Sequence, residues 1–277
     1  MSSLSRANFF ALKALALLHD PPHKHYCIID KQRYCVLGGQ DHEDEAKCFR
    51  KRVLRDTAFS GFATRENLSI IRRADAIASG LDRWLIEFAV RTEVLRTNVI
   101  TNIFNPRHCR QLPTPNPDEL RKSLEIVAQE VNKLLRETKG LFDLTRELDK
   151  AVEFSYVLLY ALLEPLCYVK GIPPSLADTR TPTHTVMDHV HATALTVNMI
   201  PLASENSSRL SGYIVLIDFP GIHEFVDAAR KAGDFWAGSW LVSEVAWRLA
   251  EKLMDEFGPD ILICPTPRMN PYFYLKY

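Results

Sequence analysis

His19 and Asp20 are adjacent, which sets an imidazole beside a carboxylate, and that pair of donors can coordinate one divalent metal. A metal held this way lowers the pKa of a bound water and polarises a phosphoryl oxygen, the chemistry of metal-assisted phosphoester hydrolysis. Other residues invite weaker readings. Cys27, Cys35, Cys48 and the His108-Cys109 pair could be gathered into a metal site by folding. The six cysteines contain no CxxC pair, however, so neither a zinc ribbon nor a disulfide framework is indicated and ordinary thiols are expected. Lys47, Arg50, Lys51, Arg52 and Arg55 could track the phosphates of a single strand, although such a run is usually the solvated face of a helix.

The elements that must hold His19-Asp20 are helical. Phe10, Ala14, Leu17 and Leu18 recur at helical spacing over Phe9 to His19, and Pro21-Pro22 stop that helix, because proline lacks a donor and clashes with the preceding turn. The pair therefore sits at a helix C-terminus. Tyr26 to Gln40 reads as a short excursion, with a hairpin as one option, turning at Gly38-Gly39. Helices are expected over 41–59 and 66–104. A loop with four prolines spans Asn105 to Pro117 and ends in a start signal: Asn116 as cap, Pro117 at the first helical position and Glu119 three residues after the cap. Helices over 117–138, 144–169 and 185–199 follow. After the polar stretch Ser204 to Ser211 the pattern changes to a short apolar run, Tyr213 to Asp218, which fits a buried strand. Helices near 221–231 and 238–257 and a second strand, Asp260 to Cys264, complete a β-α-β unit. Two strands make no self-sufficient sheet, so the expectation is a domain that begins near residue 209 and is cut short, in a fragment or one half of a split protein. Phe225, Phe235, Trp236, Trp240 and Trp247 have helical spacing and are expected in its core.

With 277 residues, about two domains are expected. Hydrophobic residues at 47% and charged residues at 25% exclude a disordered, collagen-like or coiled-coil chain. Lys plus Arg and Asp plus Glu both number 34, so no global charge draws the chain to nucleic acid or an anionic membrane. The longest apolar candidate for a span, Phe154 to Leu163, is stopped by Glu164 and Pro165, and no leader-type cleavage site follows the first helix. A cytoplasmic protein with no membrane partner is expected.

A helical domain carrying His-Asp resembles the HD superfamily of metal-dependent phosphohydrolases. In that family a first His precedes His-Asp, and a distant Asp follows, all on separate helices. Asp75, in Ala74-Asp75-Ala76-Ile77-Ala78-Ser79-Gly80, is the candidate for the distant Asp, since small neighbours permit close helix approach; the alternative is a solvent-facing side chain on a helix with Arg72, Arg73 and Arg83. No histidine precedes His19, and circular permutation would supply the first His from Asp188-His189. Four segments together, His19-Asp20-Pro21-Pro22-His23-Lys24, Ala74-Asp75 to Arg83, Asp178-Thr179-Arg180 through Asp188-His189, and Ala229-Arg230 through Asp234, Trp236, Ala237, Gly238 and Ser239, resemble the large subunit of type III CRISPR effector complexes, nearest the Cmr type. The likeness runs in order over nearly the whole chain.

The resemblance implies a mainly α fold: a permuted HD-type helical domain over 1–208, then from 209 to 277 the incomplete start of an α+β, ferredoxin-like palm. It implies that His19, Asp20, Asp75 and His189 bind the metal, with Lys24 near the scissile phosphate. For a second ion His42 is the first candidate and His184 the next, and Asp188 and Arg180 would orient ligands or substrate. Mixed imidazole and carboxylate donors suit Mn, Ni or Co, with Mg also admissible. The implied activity is cleavage of single-stranded DNA inside a prokaryotic CRISPR ribonucleoprotein, whose other subunits, guide RNA and target RNA would be partners. Two departures stand out. Gly38-Gly39-Gln40-Asp41 is only superficially like the Gly-Gly-Asp-Asp polymerase motif of the second palm, which these residues lack, so it reads as a turn and no oligoadenylate synthesis is expected of them. His23 replaces the family's usual aromatic residue and is expected on the surface. The alternatives are an idle scaffold domain docking other subunits, and an HD phosphohydrolase of free nucleotides.

Overall fold

The computed structural model describes residues 4–83, 98–105, 107–199 and 212–276. Along them the elements run α1 (Arg6–Leu17), α2 (Lys24–Ile29), α3 (Lys31–Tyr34), α4 (His42–Leu54), α5 (Arg65–Arg83), the strands β1 (Val99–Thr101) and β2 (Cys109–Gln111), α6 (Pro117–Gly140), α7 (Leu148–Val169), α8 (Val186–Val197), α9 (Ile222–Asp227), α10 (Ala232–Phe257) and α11 (Pro271–Lys276). The fold is mainly helical, as the sequence patterning implies.

The centre is α1. Ser5 caps it by accepting from the Asn8 amide, and every side chain from Phe10 to Leu17 is buried. A helix apolar all round needs neighbours all round, and α5, α7 and α8 supply them. α6 lies on the other side of α7 and carries α4 on its own far face. The Asn116 side chain accepts from the Asp118 and Glu119 amides, so the start signal after the proline loop works as its residue types dictate.

α7 runs through Glu164 and Pro165 and ends at Val169, where the sequence patterning places its end. It is the one described helix long and apolar enough to cross a membrane, but half of its most apolar window is buried inside the protein, against α1 and α6. Glu164 within it is neutralised by Arg268, whose Nη2 donates to Oε1 at 2.7 Å.

Several expectations about local structure are corrected. No hairpin forms over 26–40; the segment makes α2 and α3, the latter capped by Asp30, which accepts from the Arg33 amide. The helix expected over 66–104 is described only to Arg83; 84–97 lie outside the described residues, and β-branched Val99-Ile100-Thr101 pairs antiparallel with Cys109–Gln111. Tyr213 to Asp218 is extended but pairs with no strand among the described residues, and four of its side chains, Tyr213, Ile214, Val215 and Leu216, are at least 75% exposed. The expected second strand instead begins with a 3-10 turn, Pro259–Ile261, bent inward by buried Asp260. The 204–211 linker and the 208/209 boundary lie outside the described residues, apart from which Met254 and Phe273 join the same core as α1.

Phe225, Phe235, Trp236 and Trp240 are more than half exposed, against the expectation of a core. Their helical spacing does form a stripe, with Trp236 and Trp240 stacked at 5.9 Å, but no described element packs over it. Trp247 alone of the five leans on the core.

Candidate metal centre

α1 gives way at Leu18, and the next two residues turn back over its end. The His19 Nδ1 lies 2.6 Å from the Ala16 carbonyl. A carbonyl only accepts, so Nδ1 carries a proton and Nε2 is the nitrogen left to take a metal. That nitrogen faces three groups: Asp20 Oδ2 at 3.3 Å, Asp75 Oδ1 at 3.6 Å and His189 Nε2 at 3.3 Å. His189 Nε2 lies 3.0 Å from Asp75 Oδ1 and 3.7 Å from Asp20 Oδ2. His19, Asp75 and His189, from the end of α1, the middle of α5 and the start of α8, thus place their ligand atoms within 4.8 Å of one another, and Asp20 lies against the two imidazoles.

The small residues around Asp75 explain the approach. Ala74 and Ala78 are buried, so α5 comes close to both α1 and α8. Ser79 donates to Asp75 Oδ1 at 3.0 Å, fixing the carboxylate. α8 begins with a capping box in which Thr185 and Asp188 satisfy each other's orphan groups; this sets the register that turns His189 inward. Lys24, one turn after Asp20, donates to Asp20 Oδ2 at 2.6 Å.

The electrostatics fit a cation. Burial opposes charge on His19, but the carboxylates of Asp20 and Asp75 outweigh it and raise its pKa to about 9. Against the same opposing effect of burial, Lys24 and His19 hold Asp20, and His189 and His19 hold Asp75, well below the usual carboxylate range. Two imidazole nitrogens facing each other at hydrogen-bond distance need a proton or a metal between them. Two nitrogens and two carboxylate oxygens suit Mn, Ni or Co better than a purely oxygen-seeking ion such as Mg.

The remaining candidates lie elsewhere. His42 opens α4 and His184 lies in the loop before α8, its Nδ1 3.2 Å from the Thr183 hydroxyl; neither joins the group around His19 among the described residues. Asp188 orients no imidazole, since its carboxylate is taken by Thr185 and by Arg268 Nη1 at 2.6 Å. Arg180 makes a two-point ion pair with Asp178. His23, expected on the surface, is wholly buried, because the turn after Pro22 directs it behind α4. In the basic run, Lys47, Lys51, Arg52 and Arg55 are exposed; Arg50 reaches toward the Leu18 carbonyl and Arg52 to that of Leu37, and Lys51, Arg52, Arg55 and Arg136 border a groove between α4 and α6. Sequence reasoning missed Arg268 altogether: nothing local marks an arginine that ties α7 to the start of α8 from about 80 residues downstream.

Residues 214–277 match the family described as CRISPR-associated protein Cmr2, N-terminal. The chain is related to the N-terminal part of Cmr2. It is 29% identical to the CRISPR system CMR subunit Cmr2 of Saccharolobus solfataricus over 98% of its own length and 25% of the relative's. With Cmr2 of Pyrococcus furiosus it shares 32% identity over 36% of its length and 10% of that protein's. A chain of the type III-B Cmr-beta apo state, solved by cryo-EM, superimposes with a TM-score of 0.68 at 27% identity, covering 95% of this chain and 24% of the other. The chain therefore spans about a quarter of the Cmr2 relatives it matches over its whole length.

Proposed function

We propose that the chain carries an HD-type metal-dependent phosphodiesterase centre that cleaves single-stranded DNA within a type III Cmr effector complex. The observation that carries this reading is the convergence of His19, Asp20, Asp75 and His189 from three separated parts of the sequence. The metal, when bound, supplies Lewis acidity and a water of lowered pKa. The chain's own residues do the rest. The Ala16 carbonyl holds His19 in the tautomer that offers Nε2, Ser79 fixes Asp75, and Lys24, paired with Asp20, offers positive charge to a phosphate oxygen. The other subunits of the complex, guide RNA and target RNA are the proposed partners, with base pairing supplying sequence specificity, and the cytoplasm of a prokaryotic cell the proposed place of action. The order of ligands along the chain supports a permuted HD domain.

A scaffold reading is favoured by one observation, the exposed apolar stripe on α9 and α10, which offers a docking face. The deciding experiment is cleavage of labelled single-stranded DNA with Mn, Ni, Co and Mg in turn, comparing wild type with His19→Ala/Asp20→Ala. Metal-dependent cleavage lost in the folded double variant is expected. Equal cleavage by both would remove the nuclease reading from this site, and no cleavage or metal uptake by wild type would leave the scaffold.

A further inference from the structure

A second cluster of donors lies behind the first and takes no part in it. His23, Cys27 and Glu45 are all buried, and their ligand atoms lie within 4.8 Å of one another. His23 is at the N-terminal end of α2, Cys27 one turn later on α2, and Glu45 in the first turn of α4. Cys35, at the end of α3 and partly exposed, lies beside Cys27 but outside the group of mutually close donors.

The cluster is incompletely satisfied as a set of ordinary polar groups. His23 is 0% exposed; its Nε2 lies 3.2 Å from Glu45 Oε1, while its Nδ1 has no hydrogen-bond partner. Glu45 is likewise wholly enclosed and accepts from the Leu37 and Gly39 amides, yet the only ion-pair partner it has among the described residues is that imidazole. A wholly buried carboxylate whose counter-charge is a single buried imidazole, beside a buried thiol that donates to the Tyr34 carbonyl, is a costly arrangement. A divalent cation would balance the charge and engage the donors together. The separation of His23 Nε2 from Glu45 Oε1 already falls in the range of neighbouring ligand atoms around a tetrahedral ion, since metal bonds of about 2.0–2.3 Å place donors roughly 3.3–3.8 Å apart.

We infer that His23, Cys27 and Glu45, with Cys35 as fourth ligand, form a closed structural zinc site. Thiolate, imidazole and carboxylate donors, three of them buried and Cys35 at the rim, suit zinc in its structural role. The site would staple α2, α3 and the loop 35–39 to α4. The backbone shows how tightly that loop is already drawn: Gly38 adopts φ +105°, and a Cβ on Gly39 would lie 2.3 Å from the Glu45 amide nitrogen. The staple is independent of the phosphodiesterase reading, because the first centre contains no sulfur ligand.

That difference gives the test. The full chain is stripped with chelator and reconstituted with cobalt or zinc, as wild type, as His19→Ala/Asp20→Ala and as Cys27→Ser/Cys35→Ser. Cobalt in the proposed site gives thiolate-to-cobalt charge-transfer absorption in the near ultraviolet. The band is expected in wild type and in His19→Ala/Asp20→Ala, and it is expected to vanish in Cys27→Ser/Cys35→Ser together with one equivalent of zinc. No such band in wild type overturns the inference, and that measurement needs no variant to fold. A band that survives loss of both cysteines would assign the metal to other thiols and overturn it equally.

Discussion

The hydroxyl of Tyr274 donates to the carbonyl of Ala161 at 3.0 Å, and Ala161 stands four residues before Pro165 in α7. Proline has no amide hydrogen, so this is the carbonyl that the helix itself leaves without a donor. A side chain from α11 fills the gap, which explains why α7 continues past a residue that would ordinarily end it. Tyr274→Phe removes only the hydroxyl. It is expected to lower stability by about 1 kcal/mol, the usual worth of such a bond, read from urea unfolding midpoints; an unchanged midpoint would show that water serves the carbonyl equally well.

Lys13 and Asp260 form an ion pair at 2.9 Å with side-chain exposures of 0% and 1%. Tyr156 and Asn198 also donate to Asp260, at 2.6 and 2.9 Å, so the carboxylate is fully engaged. Asp260→Ala strands an ammonium in a dry core and is expected to cost about 3–5 kcal/mol. Lys13→Met/Asp260→Leu leaves no buried charge and is expected to be less destabilised than the single variant. Thermal unfolding of the two side by side decides it, and a double variant that melts lower than Asp260→Ala would contradict the account.

Glu164 is held at about 2, against the opposing effect of burial, by Arg268 and by His191, whose Nε2 is 3.6 Å away; Tyr160, Cys167, Tyr168 and Tyr274 are other titratable groups near it. The native state therefore binds this proton later than the unfolded chain. Stability from the carboxylate is present above its ordinary pKa of about 4.5 and lost as pH falls toward about 2, in total about 3 kcal/mol. Urea unfolding between pH 7 and pH 3 is expected to show a steeper loss for wild type than for Glu164→Gln. Parallel curves would mean that the ion pair does not control acid stability.

Asp75 differs from the other three donors in exposure: its side chain is 37% exposed, whereas His19, Asp20 and His189 are largely covered. Asp75→Asn keeps the shape and removes the charge. It is expected to weaken manganese binding at least tenfold, since even loss of groups that merely support ligands has about that effect, and, because its carboxylate balances His19 and His189 when no metal is bound, to lower the melting temperature of the metal-free chain as well. Isothermal titration and a thermal melt report the two quantities separately.

What the sequence made legible follows from range. Helices announced by local signals, such as the Asn116 cap or the Pro21-Pro22 stop, are found within a few residues of their expected ends, because their causes lie inside the segment. The His19-Asp20 pair stands out for the same reason. The meeting of His189 with Asp75 has no local cause, and only resemblance suggested it. Tyr213 to Asp218 misled because a strand is defined by its partner, and apolar residues record a preference for burial without saying what will bury them. His23 misled differently. A histidine between prolines and lysines reads as surface, and its burial behind α4 depends on the turn after Pro22, which the residue types alone do not set.

The Lys13–Asp260 pair also sets a timetable. α1 is made before the other described helices, yet its buried ammonium needs a carboxylate 247 residues later. At about 5–20 residues per second the interval is roughly ten to fifty seconds. Through that time the central helix of the fold has no final partner for its charge. An element made early is thus among the last to be finished.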